Sequence, residues 1–187
     1  MMLLTLHAVR LLGFADTLEV AARFSLDSHL VESRLIDAGV NGFVSRSTFA
    51  GTSGWSLSSQ GRAENERLLA EELDRAGARG MVLAVHDDFA DFNTGVVSAC
   101  SAIQLQSPAT QDAMDVLMGA LASWRPLEAR LIGLLPRFEG YSERLLRSLK
   151  QAAEDPVWVT ATDRDSFHRA WFELHEDLIA TLGIQRA

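Results

Sequence analysis

The sequence predicts a mainly α-helical protein that carries one small β-hairpin in its first half. Apolar residues recur at helical spacing through most of the 187 residues, which indicates amphipathic helices packed around a core. Short strand-like segments separated by Gly and Ser occur convincingly only between residues 43 and 58. The expected fold class is therefore mainly α: a first domain over residues 1–79, called the head below, that carries the hairpin, followed by an all-helical region.

The first two helices are marked by their starting residues. The segment "MMLLTLHAVRLLGFA" lacks a basic leading region and a small-residue cleavage site, so we expect a first helix over residues 4–15 rather than a signal peptide. Asp16 is followed three residues later by Glu19, the pattern of a capping box. This pattern predicts a short second helix over residues 17–24.

A third helix and two strands follow. Asp27 is the expected cap of the third helix, which can end at Gly39 or at Gly42. The later glycine is favoured because it suits a left-handed helix end and a strand follows directly. Residues 43–49 and 55–58 are the two expected strands, and "AGTSG" between them is the expected turn.

The fourth helix completes the head. Ser58 is its expected cap, and apolar spacing carries it over residues 59–76. The order helix, helix, turn, helix, strand, strand, helix is that of a winged helix-turn-helix, so residues 1–79 are predicted to form such a domain. Residues 80–187 show no further hairpin and are predicted to form an all-helical dimerisation or ligand-binding domain. Its expected markers are a helix over 111–123, a bend at Pro136, and a last helix capped by Asp163 or Asp165 and ended at Gly183.

Composition and charge restrict the classes of function. A hydrophobic content of 48% without eighteen consecutive apolar residues predicts a globular protein that does not span a membrane. One cysteine excludes an internal disulfide and fits a reducing cytoplasm. The net charge of −8 divides into −2 up to Arg79 (8 Lys and Arg against 10 Asp and Glu) and −6 after it (9 against 15). An acidic chain repels phosphate at long range. Many regulators nevertheless bind DNA with acidic C-terminal domains, so the charge of the candidate DNA-binding face matters more than the total.

The head resembles MarR-like winged-helix transcriptional regulators over about residues 3–78. The resemblance depends on "VESRLIDAGVNGFV", the end of the third helix with the first strand, and more specifically on "GWSLSSQGRAENERLL", the second strand with the next helix. The later segments "LLPRFEGYSERLL" and "FELHEDLIATLG" are more weakly similar to helical regions that accompany such heads. The resemblance implies a homodimer that binds double-stranded operator DNA and is often released by a small ligand.

The third helix has one face that DNA would meet. At 100° per residue, Leu30, Val31, Arg34, Leu35 and Ala38 fall on the inner side. The outward residues predicted to contact DNA are Ser28, His29, Glu32 and Ser33, with Ile36 beside them. Among them, Glu32 is suited to accept a hydrogen bond from cytosine N4, and the serines to contact phosphate or base edges.

The expected phosphate contacts lie outside that helix. Arg46 on the first strand and Arg62 near the start of the fourth helix are the two candidates. The tip of the hairpin, residues 50–54, contains neither Lys nor Arg and so departs from the pattern of the family.

The second part offers a candidate ligand site. His168 and His175 are expected on the apolar side of the last helix, together with Trp171. They are two turns apart, about 10.5 Å along the axis, which does not suit one zinc ion. We expect core histidines, with a ligand pocket as the alternative. His86 and Asn93 are added to that candidate pocket as polar groups near a buried face.

No motif of an enzyme or a cofactor site is present. "GTSGW" does not match the Gly-x-Ser-x-Gly pattern of a nucleophilic serine, and neither a phosphate loop nor a dinucleotide fingerprint occurs. The resemblance to MarR-like regulators makes the leading hypothesis a cytoplasmic, homodimeric, ligand-responsive regulator that binds specific DNA sequences. The alternatives are a winged-helix scaffold that binds or transforms a small hydrophobic metabolite, and a protein–protein adaptor.

Overall fold

The computed structural model describes residues 2–49, 51–105 and 110–184, and these form two compact units. The first unit extends to Leu73 and the second from Asp74 to Leu182, so the division falls within one helix and before the boundary predicted at residue 79. The first unit contains α1 (Met2–Leu12), α2 (Thr17–Arg23), α3 (Ser28–Val40), β1 (Val44–Phe49), β2 (Thr52–Leu57) and most of α4 (Ser59–Ala76).

The second unit is built from helices throughout its described residues. Its elements are α5 (Arg79–Gln104), α6 (Thr110–Ile132), a 3-10 turn (Pro136–Phe138), α7 (Tyr141–Ala152), α8 (Val157–Thr160) and α9 (Phe167–Leu182). The prediction of a mainly helical chain with one small hairpin is confirmed. No helix in the described part of the chain is long and apolar enough to cross a membrane.

The helix ends in the first unit follow the sequence signals closely. The Asp16 side chain accepts from the Glu19 N–H and the Glu19 carboxylate accepts from the Asp16 N–H, which is the complete capping box. Asp27 caps α3 by accepting from the Leu30 N–H at 2.9 Å. At the other end Gly42 has φ +74°, so the later of the two predicted helix ends is confirmed.

The first helix is shorter than predicted. It ends at Leu12, and Gly13 follows with φ +74°. Ala15 then pairs with Trp55 of β2 through two backbone hydrogen bonds of 3.2 and 2.8 Å. The prediction that the helix continues to Ala15 is wrong because this residue pairs with a strand forty positions away.

The two strands pair antiparallel over their full length, from Val44 opposite Leu57 to Phe49 opposite Thr52. β2 therefore begins at Thr52, three residues before the predicted start, because Thr52, Ser53 and Gly54, which were assigned to the turn, belong to the ladder. A Cβ atom at Gly54 would lie 2.6 Å from the ring of Phe14, so a larger residue there would have to displace this side chain, which is 37% exposed.

The start of α4 is fixed by a close approach to the backbone before β1. Ser58 caps the helix by accepting from the Gly61 N–H at 2.9 Å, as predicted, and its hydroxyl donates to the Gly42 carbonyl at 2.6 Å. A Cβ atom at Gly61 would lie 1.8 Å from the carbonyl oxygen of Phe43. In the segment "LSSQGR", Ser58 thus caps α4, and Gly61 allows the start of α4 to lie against the backbone just before β1.

Each unit has its own apolar core. In the first unit α1, α2, α3 and the hairpin enclose the fully buried residues Leu6, Val9, Val20, Val31 and Leu35. In the second unit α5 pairs with α6, and α9 packs against α5 and α7. The fully buried side chains there include Phe89, Leu117, Trp124, Leu174 and Leu178.

Candidate functional site

The outward face of α3 is the candidate nucleic-acid interface. Val31, Leu35 and Ala38 are buried and define the inner side of the helix. The opposite side carries His29, Ser33, Ile36 and Val40, which we call the outer strip; all four are exposed. Their spacing of four, three and four residues places them on one line along the helix.

Of the residues assigned to the inner side of α3, Leu30 differs from that prediction and Arg34 agrees with it. Leu30 is 51% exposed, because it is turned about 100° around the helix from the buried Val31 and lies at the edge of the core rather than inside it. Arg34 is half-buried, and its Nε has no hydrogen-bond partner among the described residues. Arg34 is therefore poorly placed to read a base from the outer strip.

Glu32 and Ser28, which were predicted to face DNA, are half-buried rather than fully exposed. The Glu32 carboxylate accepts a hydrogen bond from the Thr17 hydroxyl on α2 and lies 3.9 Å from Nη1 of Arg46 on β1. The Thr17 hydroxyl in turn accepts from the indole N–H of Trp55 on β2 at 3.1 Å.

Trp55 completes a ring of contacts, because it touches Arg46 as well as Thr17. The guanidinium carbon of Arg46 lies 5.3 Å from the centre of the Trp55 ring, within cation–π distance. We call Thr17, Glu32, Arg46 and Trp55 the hairpin network. It connects α2, α3 and both strands, and it brings together two of the residues predicted to contact DNA, one acidic and one basic.

Several arginines of the first unit are already paired. Arg10 lies 3.0 Å from the Glu66 carboxylate, and Arg67 pairs with Glu64 and Glu71 on α4. Arg62, the second predicted phosphate contact, is exposed one turn beyond the Ser58 cap. Arg46 is more than half exposed despite its contact with Glu32. The two predicted phosphate contacts are thus both exposed, and counterion release through them would amount to two arginines per chain.

Four of the five residues predicted to bind a ligand lie near one aromatic cluster in the second unit. The Phe89 ring is stacked on Trp171 at 4.8 Å between ring centres and lies 5.3 Å from His175. The His86 and His175 rings are 6.4 Å apart. Asn93 accepts a hydrogen bond of 2.8 Å from the indole N–H of Trp171.

His168 does not join this cluster in the way that the helical spacing suggested. Its side chain is exposed, whereas Trp171, three residues later, is buried. The prediction that both histidines lie on the apolar side of α9 is therefore wrong for His168. A spacing of seven residues keeps His168 and His175 on roughly one face of α9. In the first turn, however, the residues that face the core are Phe167, Ala170 and Trp171, and the His168 side chain between them remains outside it.

Within the cluster, His86 carries an unsatisfied polar atom. Its Nδ1 is enclosed, has no hydrogen-bond partner among the described residues, and lies 3.6 Å from the Asp87 carboxylate. Across the described residues, no group of three His, Cys, Asp or Glu side chains is arranged to hold a metal ion. The rings of Phe89 and Trp171 are buried against each other, so the cluster is a packed aromatic core that encloses one imidazole nitrogen.

A shallow depression of about 290 Å³ lies between α6 and the start of α7. Its most buried polar residue is Glu128, whose two carboxylate oxygens each accept from the Ser142 N–H at 3.2 Å. Gly140 stands at the cap position of α7 and has no side chain to offer. Glu128 therefore serves as the missing cap, which is a structural role.

The sequence did not reveal two ion-pair networks in the second unit. Arg137 pairs with Asp177, both almost completely buried, and the Tyr141 hydroxyl donates to the same carboxylate at 3.0 Å. Arg144 binds Asp165 and Glu173, each at 2.7 Å. Burial would raise the pKa of Asp165, but hydrogen bonds and the charge of Arg144 outweigh it and hold that pKa below its usual value. Since these partners are far apart in the chain, spacing gave no signal of them.

Comparisons with protein-family models, with curated proteins and with solved structures each found no match to this chain.

Proposed function

We propose that the first unit is a winged helix-turn-helix domain that binds double-stranded DNA, with α3 in the major groove and the β1–β2 hairpin as the wing. The observation that supports this most is the outer strip. A capped helix of 13 residues keeps one face in the core and leaves a line of exposed side chains beside a hairpin that carries Arg46. This is the arrangement that a recognition helix and a wing require.

The contacts divide into two kinds. His29 and Ser33 on the outer strip are suited to hydrogen bonds with base edges or phosphate. Arg46 and Arg62 supply the phosphate contacts that fix the register of the domain on the duplex. Because two arginines give little affinity, a homodimer that engages two half-sites is part of the proposal, since linked binding multiplies the two affinities.

The regulatory part of the proposal concerns the second unit. The aromatic cluster around Phe89, with His86 and Asn93 at its polar edge, is proposed as the site of an aromatic or apolar effector in a cytoplasmic regulator. Stacking surfaces with few polar groups are typical of small-molecule sites. Quenching of tryptophan emission by a panel of aromatic acids, compared in wild type and Trp171→Phe, tests this part separately from DNA binding.

The test of DNA binding is a salt titration on a pool of random 30-bp duplexes. Arg46→Ala together with Arg62→Ala should weaken binding to all sequences and flatten the slope of log K against log salt by about 0.9 for each phosphate that the protein no longer neutralises. Arg67→Ala is the matched control, because Arg67 lies on the same helix as Arg62 and pairs with two carboxylates of that helix. An unchanged slope in the double variant would remove these arginines from the interface.

A second candidate function is a protein–protein adaptor or a scaffold without an operator. The contact between Glu32 and Arg46 favours it, because this carboxylate offsets part of the charge that DNA would need. Absence of binding to the duplex pool at 50 mM salt, by a protein whose α3 is folded, is the result expected of this candidate.

A further inference from the structure

The centre of the outer strip carries an aliphatic side chain. Ile36 is 52% exposed and stands one turn after Ser33, on the line that the proposed function places against the bases. Val40 is 84% exposed but lies at the last residue of α3, far from the amino-terminal turns that enter a groove first. Leu30 is 51% exposed in the first turn of α3 but points about 90° away from the outer strip. Among the apolar residues on the strip, Ile36 is therefore the one nearer to the amino-terminal turns.

The carboxylate beside it is occupied. Glu32 would select cytosine if its side chain were free, but it accepts from the Thr17 hydroxyl and lies beside the Arg46 guanidinium. Turning it towards a base would break both contacts. The outer strip then offers an imidazole, a hydroxyl and an aliphatic group for readout.

The major groove contains one apolar feature, the 5-methyl group of thymine. Adenine and guanine present donors and acceptors there, and cytosine presents an amino group beside a C5–H that lacks the methyl group. Desolvating these polar groups against Ile36 without a hydrogen bond is unfavourable. The chemistry of Ile36 therefore discriminates among bases in a definite direction.

The exposed apolar area is too small for a protein interface. The exposed apolar residues of α3 are Leu30, Ile36 and Val40. Together they expose on the order of 300 Å², whereas the apolar part of a stable interface of roughly 800 Å² per partner is about 450 Å². Their neighbours on the strip are polar, and Arg46 on the adjacent strand is more than half exposed. These features favour DNA over a second copy of the chain as the occupant of the strip.

We propose that Ile36 is a specificity-determining residue that selects thymine, by packing on its methyl group, at one position in each half-site of the operator. The proposal rests on the proposed function and goes beyond it by naming the base that α3 prefers and the residue that reads it.

The test replaces single thymines by deoxyuridine, which removes only the methyl group. Duplexes selected from a random pool by the wild-type protein are the probes. At one thymine per half-site the replacement should weaken binding about fourfold, the loss expected for one methyl group buried against an aliphatic side chain. Ile36→Ala should bind thymine and deoxyuridine probes equally, whereas Val40→Ala, the matched control on the same helix, should keep the fourfold difference.

The outcomes separate the two proposals. If the wild type selects no duplex, the proposed function is refuted and this inference with it. If it selects specific duplexes but ignores the methyl group, or if Ile36→Ala keeps the same preference, only the inference is refuted. A second copy of the chain would be shown to occupy the strip by two results together. The Ile36→Ala variant would lose self-association, and the wild type would bind thymine and deoxyuridine probes equally. Ile36→Val, which keeps the branched shape, should retain the preference and so excludes a general loss of structure.

Discussion

The contact between Glu32 and Arg46 makes a prediction of increased affinity. Glu32→Gln removes the negative charge but keeps the side-chain length and an oxygen that accepts from the Thr17 hydroxyl. Because Arg46 then has no carboxylate beside it, its guanidinium is available to a phosphate. Binding of the duplex pool should therefore become tighter, although a group on the proposed DNA face has been altered.

The magnitude follows from the geometry. The two side chains are 57% and 38% exposed and their charged atoms lie 3.9 Å apart, so the pair is worth at most about 1 kcal/mol after screening by solvent. Release of Arg46 is expected to raise the affinity of one head up to about fivefold, and that of a dimer up to about 25-fold. If Arg46 then binds a phosphate fully, the salt slope should steepen by about 0.9 per head.

Removal of any acidic group near DNA also raises affinity, so the assay needs a control of equal charge. Asp37→Asn provides it, since Asp37 is exposed on α3 and its replacement removes the same charge from the same helix. Binding is measured by fluorescence anisotropy at about 50, 100 and 200 mM salt, a range in which screening changes strongly. Both variants are repeated in an Arg46→Gln background.

Two results would refute the reasoning. Equal gains from Glu32→Gln and Asp37→Asn would mean that only the general field of the face is changed. A gain from Glu32→Gln that persists in the Arg46→Gln background would mean that Arg46 is not the group released. The expected result is a gain that exceeds the control and disappears with Arg46.

Three further predictions concern the fold. Gly61→Ala should destabilise the first unit by several kcal/mol in urea unfolding, because the new methyl group meets a backbone carbonyl at 1.8 Å, whereas Gly119→Ala, with open space in a helix interior, should stabilise by about 1 kcal/mol. Asp177→Asn should cost about 3–5 kcal/mol by leaving Arg137 charged and buried, and a smaller loss in thermal unfolding would contradict this account. Burial raises the pKa of Cys100 to about 12, so a thiol reagent at pH 8 should react only after unfolding; prompt labelling of the native protein would disprove it.

The pH dependence of stability has a definite sign for the Arg144 network. The pKa of Asp165 is held below its usual value in the folded protein, so the folded carboxylate binds fewer protons than the unfolded one. Its contribution is present above about pH 4, the ordinary range of an aspartate, and is lost as the pH falls further. Asp165→Asn should therefore make urea unfolding less dependent on pH in this range.

The local features of the fold could be predicted from the sequence because they depend on neighbouring residues. The caps at Asp16, Asp27 and Ser58 and the helix end at Gly42 each involve atoms within a few positions of one another. Where the predictions fail, a distant partner decides. The last helix begins after Ser166, whose hydroxyl accepts from the Arg169 N–H, while Asp165, one of the two predicted caps, is bound to Arg144.

The same distinction separates the predicted from the unpredicted parts of the candidate sites. Periodicity identified His29, Ser33 and Ile36 as outward residues of α3, since a face is a property of one helix, but it placed the half-buried Ser28 and Glu32 with them. It could not show that Glu32 meets Thr17 and Arg46, because those residues come from α2 and β1 and are brought together only by the packed head. It placed Trp171 correctly on a buried face but could not show that its indole N–H is satisfied by Asn93.

The hairpin network gives the low charge of the head a physical interpretation. Under the proposed function the hairpin is the wing, and its contact with α3 through Glu32 and Arg46 orients it before a duplex binds, so less conformational entropy is lost on binding. The same pairing withholds one of the few cations from phosphate. Such a protein would bind DNA weakly but selectively. Its few cations give little affinity for any sequence, and only duplexes with a well-placed thymine add the contact with Ile36. Such a balance predicts a high ratio of specific to non-specific binding together with modest absolute affinity, and a protein that coats duplexes of any sequence tightly would contradict it.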